Sequence, residues 1–186
     1  EEFGRLSFFI GDVIPEGCSF EFVPLGAELF DLHGLDLKQD VGNIVLTPIG
    51  ETNQIAAWKR WNTESLKKQG DFYHDLSDSR VYFYSEKDPT TLYSAMEAAR
   101  RRNIVALGKN KHFIVDGFTI AYTGAHGANG APEDCVIRNC DFRWIGGSLL
   151  YTRNGRPTRY GNGVEFWSSC KNIVVEHNTF EDVYDT

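Results

Sequence analysis

The last third of the chain carries acidic and imidazole side chains in a pattern suited to cleaving a glycosidic bond. Such cleavage uses two carboxyl groups, about 5–5.5 Å apart in a retaining mechanism and about 6.5–9.5 Å apart in an inverting one. Side chains stacked on adjacent coils of a β solenoid lie about 5 Å apart, and those on alternate coils about 10 Å. Outward acids on neighbouring coils therefore meet either requirement. We predict Glu165 as the first catalytic residue, Asp185 or Asp182 as the second, and His126 as a general base or a group that orients a sugar hydroxyl.

Each of these residues also has an ordinary structural explanation. A single outward carboxylate is more often a solvated surface group, and Asp185 could serve as a turn former. His126 precedes Gly127 at an expected corner of the chain, where a histidine can hydrogen-bond to the backbone. The sequence alone leaves both explanations open for each residue.

Basic and aromatic residues close to these acids are predicted to bind the substrate. Arg143 and Arg159 belong to a local basic patch and could hold a uronate carboxylate bidentately, although loop solubility and local ion pairs explain the patch equally well. Trp144 and Tyr160 offer flat faces on which a sugar ring can stack. Asn162 aligns with the corner histidine and completes the predicted binding set.

The sequence predicts no metal site and no cofactor. No CxxC motif or Cys/His pair has the spacing of a zinc site. The outward-facing residues expected to stack on successive coils mix acids with Thr, Ala and Arg, unlike the ligands of a calcium cluster. Hydrolysis therefore ranks above calcium-dependent elimination. The four cysteines are predicted to be buried free thiols: Cys18, Cys135, Cys140 and Cys170.

The composition narrows the classes of partner. The chain of 186 residues has a net charge of −7, which argues against nucleic-acid binding, because that binding needs Lys and Arg to displace phosphate counterions. No apolar run approaches the length of a transmembrane helix, so no membrane partner is expected. The chain begins at Glu1 without a leader, as a processed exported protein would, and we expect a secreted or periplasmic location.

An internal repeat predicts the elements that position these residues. The segments 113–120, 135–142 and 173–180 align position for position, offset by 22 and then by 38 residues. A repeat near 22 with three short strands per turn is typical of a right-handed parallel β-helix. The larger offset places an insertion between Ser148 and Gly161. We therefore predict an all-β chain with about three coils over residues 103–186. The predicted inward columns are Phe113/Cys135/Ile173, Val115/Ile137/Val175 and Ile120/Phe142/Phe180.

Residues 1–102 are predicted to form a separate β-rich region with one short helix. The predicted elements are strands at Cys18–Val23 and Asn43–Thr47, a loop at Asp31–Asp40, a hairpin at Gly70–Tyr84 and a helix at Pro89–Arg102. The helix is predicted from the helical spacing of Leu92, Met96 and Ala99, with Thr90 or Thr91 as its N-terminal cap.

Several motifs resemble those of bacterial right-handed β-helix proteins of the pectate-lyase-like superfamily. They are Gly161–Trp167, Trp144–Ser148, Val183–Thr186, Leu35–Leu37 followed by Asp40–Ile44, and Gly70–Asp75, and the resemblance covers about residues 30–186. The group includes β-helical glycoside hydrolases of polysaccharide-degrading bacteria, so the resemblance implies a polysaccharide or oligosaccharide partner. A polysaccharide lyase and a non-catalytic glycan-binding protein remain alternatives.

The resemblance also implies further coils after Thr186. The chain is therefore expected to be truncated or capped by a partner, and the open last coil is predicted to pair through its edge.

Overall fold

A computed structural model describes residues 21–24, 29–33 and 39–185, and side chains from residue 39 onward. Nearly all regular structure there is β-strand, with two short 3₁₀ turns at Thr63–Ser65 and Pro89–Thr91. The N-terminal strands are β1 Glu21–Pro24, β2 Leu29–His33, β3 Val41–Pro48, β4 Ile55–Ala56, β5 Trp58–Lys59, β6 Asp71–Asp75, β7 Arg80–Tyr84 and β8 Tyr93–Arg100. The later strands are β9 Val105–Gly108, β10 Lys111–Asp116, β11 Thr119–Thr123, β12 Ala128–Gly130, β13 Glu133–Arg138, β14 Asp141–Ile145, β15 Ser148–Arg153, β16 Arg156–Tyr160, β17 Val164–Phe166, β18 Lys171–Glu176 and β19 Thr179–Val183.

The second half of the chain is a parallel β-helix of about three coils. Its walls are three parallel three-stranded sheets, in the orders β10-β13-β18, β11-β14-β19 and β9-β12-β17. The backbone register reproduces all three predicted columns, with Cys135 between Phe113 and Ile173, Ile137 between Val115 and Val175, and Phe142 between Ile120 and Phe180. The sequence repeat thus predicted both the fold and its register.

The corners of the coils repeat as regularly as the strands. Equivalent residues of successive coils adopt the left-handed conformation, which is uncommon outside glycine and is enriched in Asn and Asp. The aligned left-handed sets are His112/Asp134/Asn172, Gly117/Asn139/His177 and Tyr122/Trp144/Asp182. The same backbone bend therefore recurs in each coil, which keeps the strands of one coil over those of the next.

Apolar side chains from all three sheets fill the β-helix. The buried set is Leu107, Ile120, Ala128, Cys135, Ile137, Cys140, Phe142 and Ile145. Cys135 and Cys140 are buried free thiols, as predicted, and burial raises the pKa of each. Cys170 is a free thiol that is only half-buried, and Cys18 lies outside the described residues.

The insertion predicted between Ser148 and Gly161 is a β-hairpin. Strands β15 and β16 pair antiparallel, and Ser148 faces Tyr160 at the base of the hairpin. The tip residues Asn154 and Gly155 both have positive φ, as a tight two-residue Asn-Gly turn requires. The insertion is therefore an ordered arm that leaves the coil and returns to it.

Two sheets form most of the N-terminal region, and their strands pair antiparallel except for β5, which is parallel to β6. The predicted hairpin is confirmed as β6 and β7, and the predicted strand Asn43–Thr47 lies within β3. Glu21–Val23 of the first predicted strand lies in β1, and the rest of that strand is outside the described residues. The predicted loop at Asp31–Asp40 is wrong at its start, because Asp31–His33 belong to β2 and pair with β1.

The predicted helix at Pro89–Arg102 is wrong. Pro89–Thr91 form one 3₁₀ turn capped by Asp88, and strand β8 follows. Strand β8 pairs along the whole of β3, with Met96 opposite Leu46. This pairing satisfies the backbone of both strands, and it outweighs the helix propensity of a segment rich in Ala, Met, Glu and Arg.

Strand β3 also fastens the N-terminal region to the β-helix. The side-chain amide of Asn43 donates to backbone carbonyls of the first two coils, at Thr123 (2.9 Å), Trp144 (3.1 Å) and Gly146 (3.1 Å). A Cβ atom on Gly42 would overlap the Cα of Gly124, so the two backbones meet directly. We call this contact region the seam.

The third coil has one open side. Phe180 stacks on Phe142 with ring centroids 4.9 Å apart, yet remains 48% exposed. The edge pairing expected there stays a prediction. Within the described residues, no helix is long and apolar enough to cross a membrane.

Candidate functional site

Five of the predicted site residues meet at one corner of the β-helix. We call His126, Tyr160, Asn162, Glu165 and Asp185 the corner cluster. Glu165 lies in β17 between Val164 and Phe166, which pack against the core. Its carboxylate accepts a short hydrogen bond from the side-chain amide of Asn162. An outward acid is thus held in place by its neighbour on the same coil.

Asp185 lies over Asn162 on the next coil. The two residues form a parallel β-bridge, and the backbone N–H of Asp185 donates to the carbonyl of Gly161 at 3.1 Å. The sequence alignment placed Asp185 over Gly147 instead. Gly147 sits at the base of the inserted hairpin, where its N–H bonds to Tyr160, and the chain rejoins the coil only at Gly161. The hairpin thereby places Asp185 next to Asn162, on the coil that follows the one carrying Glu165.

His126 is fixed by two backbone contacts that run along the same corner. Its backbone N–H donates to the side-chain oxygen of Asn103 on the preceding coil, at 3.1 Å. Its Nδ1 accepts the backbone N–H of Asn162, also at 3.1 Å. An imidazole nitrogen that accepts a hydrogen bond carries no proton, so the neutral ring is protonated at Nε2.

The surroundings of His126 keep the ring neutral. Burial lowers its pKa, and the charges of Glu165 and Asp185 only partly oppose that effect. Its ring meets the Tyr160 ring edge-on, with centroids 4.9 Å apart. Of the two roles predicted for His126, this geometry favours orienting a hydroxyl through Nε2–H over acting as a base at Nδ1.

Tyr160 connects the corner cluster to the N-terminal region. Its hydroxyl accepts a hydrogen bond from Nε of Arg101 at 3.1 Å, and the same guanidinium lies 5.4 Å from the centre of the ring. Arg101 is the middle one of three consecutive arginines, and nothing in that row shows from the sequence alone which of them reaches the coil.

Trp144, Arg143 and Asp182 form a second group along β14 and β19. The Trp144 ring packs on Tyr122 at 5.0 Å, and the Arg143 guanidinium lies 5.9 Å from the Trp144 ring. Arg143 also approaches Asp141 at 3.6 Å. The register places Asp182 over Trp144, where it is exposed. The structure therefore groups Asp182 with an aromatic pair, whereas Asp185 joins the corner cluster.

Arg159 is buried in the seam and does not stand on the surface of the arm. Its two terminal nitrogens donate to the carbonyls of Lys59 (2.9 Å) and Arg60, the second in a short contact. The guanidinium stacks on Trp61, 3.7 Å from the ring centre. Loop solubility therefore does not explain this member of the basic patch, because β16 turns its side chain toward the N-terminal sheet.

A charged group in the seam was missed by sequence reasoning. Both oxygens of the Asp40 carboxylate accept hydrogen bonds from Nζ of Lys59, at 2.8 and 2.7 Å. Nδ1 of His74 lies 3.2 Å from Oδ1 of the same carboxylate. The backbone N–H of Leu149, at the root of the arm, adds a short hydrogen bond. Lys59 also reaches the carbonyl of Gly147 at 3.2 Å. The group therefore ties strands β5 and β6 to the inserted arm.

Burial sets the acid–base behaviour of this group. Burial alone would raise the pKa of Asp40, but Lys59 and the backbone N–H of Leu149 lower it. Burial lowers the pKa of Lys59 to about 8, opposed by Asp40 and helped by the nearby charge of Arg159. Asp40, Lys59 and His74 are separated by 19 and 15 positions along the chain, and no sequence motif has this spacing.

A cavity of about 260 Å³ opens beside the seam. Its walls come from β5, the β6–β7 turn and both strands of the arm. Lys59, His74 and Arg159 line its inner part, and Trp61 and Tyr73 contribute aromatic surface. No cluster of three His, Cys, Asp or Glu side chains able to hold a metal ion exists in residues 39–185.

Comparison with known proteins adds no relative. No protein-family model matches the chain, and no significant match exists among curated proteins or among solved structures. The arrangement of the residues themselves therefore carries the functional argument.

Proposed function

We propose that this protein is carbohydrate-active and acts as a glycoside hydrolase on a polysaccharide, with Glu165 and Asp185 as its paired carboxyl groups. The observation that carries the proposal is the β-bridge between Asp185 and Asn162, the residue whose amide holds Glu165. It brings two acidic residues to one corner on neighbouring coils. This supports the proposal because hydrolysis of a glycosidic bond uses a pair of carboxyl groups.

The other corner residues fit supporting roles. His126 presents Nε2–H as a donor toward a sugar hydroxyl, and Tyr160 offers an aromatic face beside it. Trp144 and Arg143 extend the surface along β14 as a stacking and charged platform. Substrate would therefore run along the coils, from the corner cluster toward Trp144.

The parallel β-helix, together with the motifs that resemble the pectate-lyase-like superfamily, supports an assignment to bacterial polysaccharide degradation. A polymeric substrate would meet the protein outside the cytoplasm, so we also propose a secreted or periplasmic location.

The proposal is tested with a polysaccharide panel and chromatography of the products. Once a cleaved polymer is found, Glu165→Gln and Asp185→Asn should each lower turnover by about 10²–10⁴-fold, the usual contribution of a positioned acid or base. Glu51→Gln, in an exposed turn, is the matched control and should retain activity. Asp182→Asn decides whether Asp182 replaces Asp185 as the second carboxyl group.

Two results would contradict the proposal. Wild-type turnover in Glu165→Gln would remove Glu165 from the mechanism. Saturable binding of a polysaccharide with no product after long incubation would favour a non-catalytic glycan-binding function. Unsaturated products, detected by their ultraviolet absorbance, would instead identify a lyase.

A further inference from the structure

The seam holds a buried positive charge that the described carboxylates do not balance. Arg159 is 9% exposed, and its hydrogen bonds go to two neutral backbone carbonyls. Among residues 39–185, no carboxylate lies within ion-pair distance of it. Buried arginines are normally paired or bound to an anion, because removing a charge from water is costly.

The nearest acid is already engaged. Asp40 is bound through both oxygens by Lys59 and also receives the backbone N–H of Leu149. Lys59 and Arg159 thus bring two positive charges to a region where Asp40 supplies one negative charge. Asp75 lies at the rim of the cavity, but its carboxylate turns to the N–H and hydroxyl of Ser77, at 2.9 and 2.7 Å.

A second buried group in the same cavity is short of an acceptor. Nδ1 of His74 lies 2.9 Å from the backbone N–H of Val41, which makes Nδ1 an acceptor and places the ring proton on Nε2. Nε2 is fully buried and has no hydrogen-bond partner within the described part of the chain. A buried donor without a partner is uncommon and calls for an explanation.

The two observations point to the same kind of ligand. An uncompensated guanidinium and an unpartnered N–H line one cavity, and an oxyanion would satisfy both. The volume of about 260 Å³ equals roughly nine water molecules at ~30 Å³ each, so the oxyanion can enter as part of a larger molecule. Trp61, stacked on Arg159 and 47% exposed, offers a ring beside the entrance.

We propose that the seam cavity is a binding pocket for an oxyanion, a carboxylate or a sulfate group, with Arg159 and His74 Nε2 as its donors. Lys59 and Asp40 hold the inner wall, and their mutual pairing leaves Arg159 without a carboxylate partner among residues 39–185. The pocket does not use the carboxyl groups of the corner cluster, so it stands or falls separately from the proposed hydrolysis.

The test titrates the intact protein with sodium sulfate and, in parallel, sodium acetate, with sodium chloride at matched ionic strength as reference. Binding is followed by calorimetry and by tryptophan fluorescence, since Trp61 contacts Arg159 directly. Saturable binding of sulfate alone assigns the pocket to a sulfate group, and binding of acetate alone assigns it to a carboxylate. Either result supports the proposal.

Variants locate the site. Arg159→Gln should weaken binding at least tenfold, while Arg156→Gln, on the same strand but exposed, should not change it. His74→Asn retains an acceptor for Val41 and removes Nε2, so it should weaken binding severalfold even if Arg159→Gln fails to fold. Glu165→Gln should bind the anion as wild type does. Absence of saturable binding by both anions, or undiminished affinity in folded Arg159→Gln or His74→Asn, would overturn the proposal.

Discussion

Nδ1 of His126 accepts a hydrogen bond from the backbone N–H of Asn162 on the next coil, at 3.1 Å. This contact fixes the tautomer of the ring and determines what the side chain can do. With Nδ1 occupied, the neutral ring can act only through Nε2–H, as a donor toward the open corner.

We therefore predict that His126 is neutral at pH 7 with its proton on Nε2. Burial lowers its pKa below the usual 6.5, so the ring should titrate at a more acidic pH than an unperturbed histidine does. Nitrogen-15 NMR of the ring measures both the tautomer and the titration. Detection of a proton on Nδ1 at neutral pH would contradict the structure.

The same histidine makes a prediction about stability. A folded-state pKa below the unfolded value means that the unfolded chain binds the extra proton more readily. The contribution of His126 to stability is therefore present above pH 6.5 and is lost as the pH falls below it. His126→Asn retains an acceptor for the backbone N–H of Asn162. This variant should reduce the pH dependence of the free energy of unfolding below pH 6.5, as measured by urea denaturation. An unchanged pH dependence would count against the buried neutral ring.

Asp40→Asn should be strongly destabilising. The change leaves Lys59 buried without its carboxylate, and breaking a buried ion pair in this way costs about 3–5 kcal/mol. The double variant Asp40→Asn/Lys59→Met should recover part of the loss, because the buried charge of Lys59 is then removed together with that of its partner. Denaturant midpoints measure all three proteins, with Glu51→Gln as the surface control.

The free energy of unfolding at acidic pH tests the role of the Asp40 carboxylate. The folded-state pKa of Asp40 is lowered below its usual 3.8, so its contribution is complete above pH 3.8 and is lost as the pH falls through the folded value. The stability difference between wild type and Asp40→Asn should therefore narrow in acid. A constant difference across that range would mean that Asp40 is not held ionised by its partners.

Asn43 should prove essential to the seam. Its amide donates to three carbonyls on two coils, and Asn43→Ala removes this donor from all three partly buried acceptors, at a cost of about 1–3 kcal/mol. Asn43→Asp should cost more, because a carboxylate would face the carbonyl oxygens. Asn53→Ala, in an exposed segment, is the control. Equal stability of the Asn43 and Asn53 variants would show that the seam does not depend on this amide.

Gly42→Ala tests how closely the two backbones meet. The added methyl group would overlap Gly124 and force β3 away from the β-helix, which we expect to cost at least 3 kcal/mol, at the upper end of overpacking effects. Gly50→Ala has open space around it and costs only its left-handed backbone, about 1–2 kcal/mol. Thermal unfolding of both variants gives the comparison, and a larger loss at Gly50 would refute the close contact.

Local and periodic features were predictable from the sequence. The offset between Ile120 and Phe142 gave the register of the coils, because stacked strands repeat the same inward position. The Asn154–Gly155 pair carries the signal of a tight hairpin turn, although the inserted segment was expected as a loop. The proximity of His126 and Asn162 was predictable as well, since they hold equivalent positions of successive coils.

Features that depend on contacts between residues distant in the sequence were decided only by the tertiary structure. Residues 93–100 have the composition of a helix, yet they form a strand because β3 offers an unpaired edge along their whole length. Asp185 meets Asn162 only because the arm removes Gly147 from the path of the coil.

The seam illustrates the same division most clearly. The sequence by itself determined the repeating coil, because each position is specified by a periodic choice of apolar or polar residue. Asp40, Lys59 and His74 come from three separate segments, and Arg159 from a fourth. Their meeting depends on the docking of the N-terminal sheets against the β-helix, and the energy of a buried charge depends on the neighbours that this docking supplies.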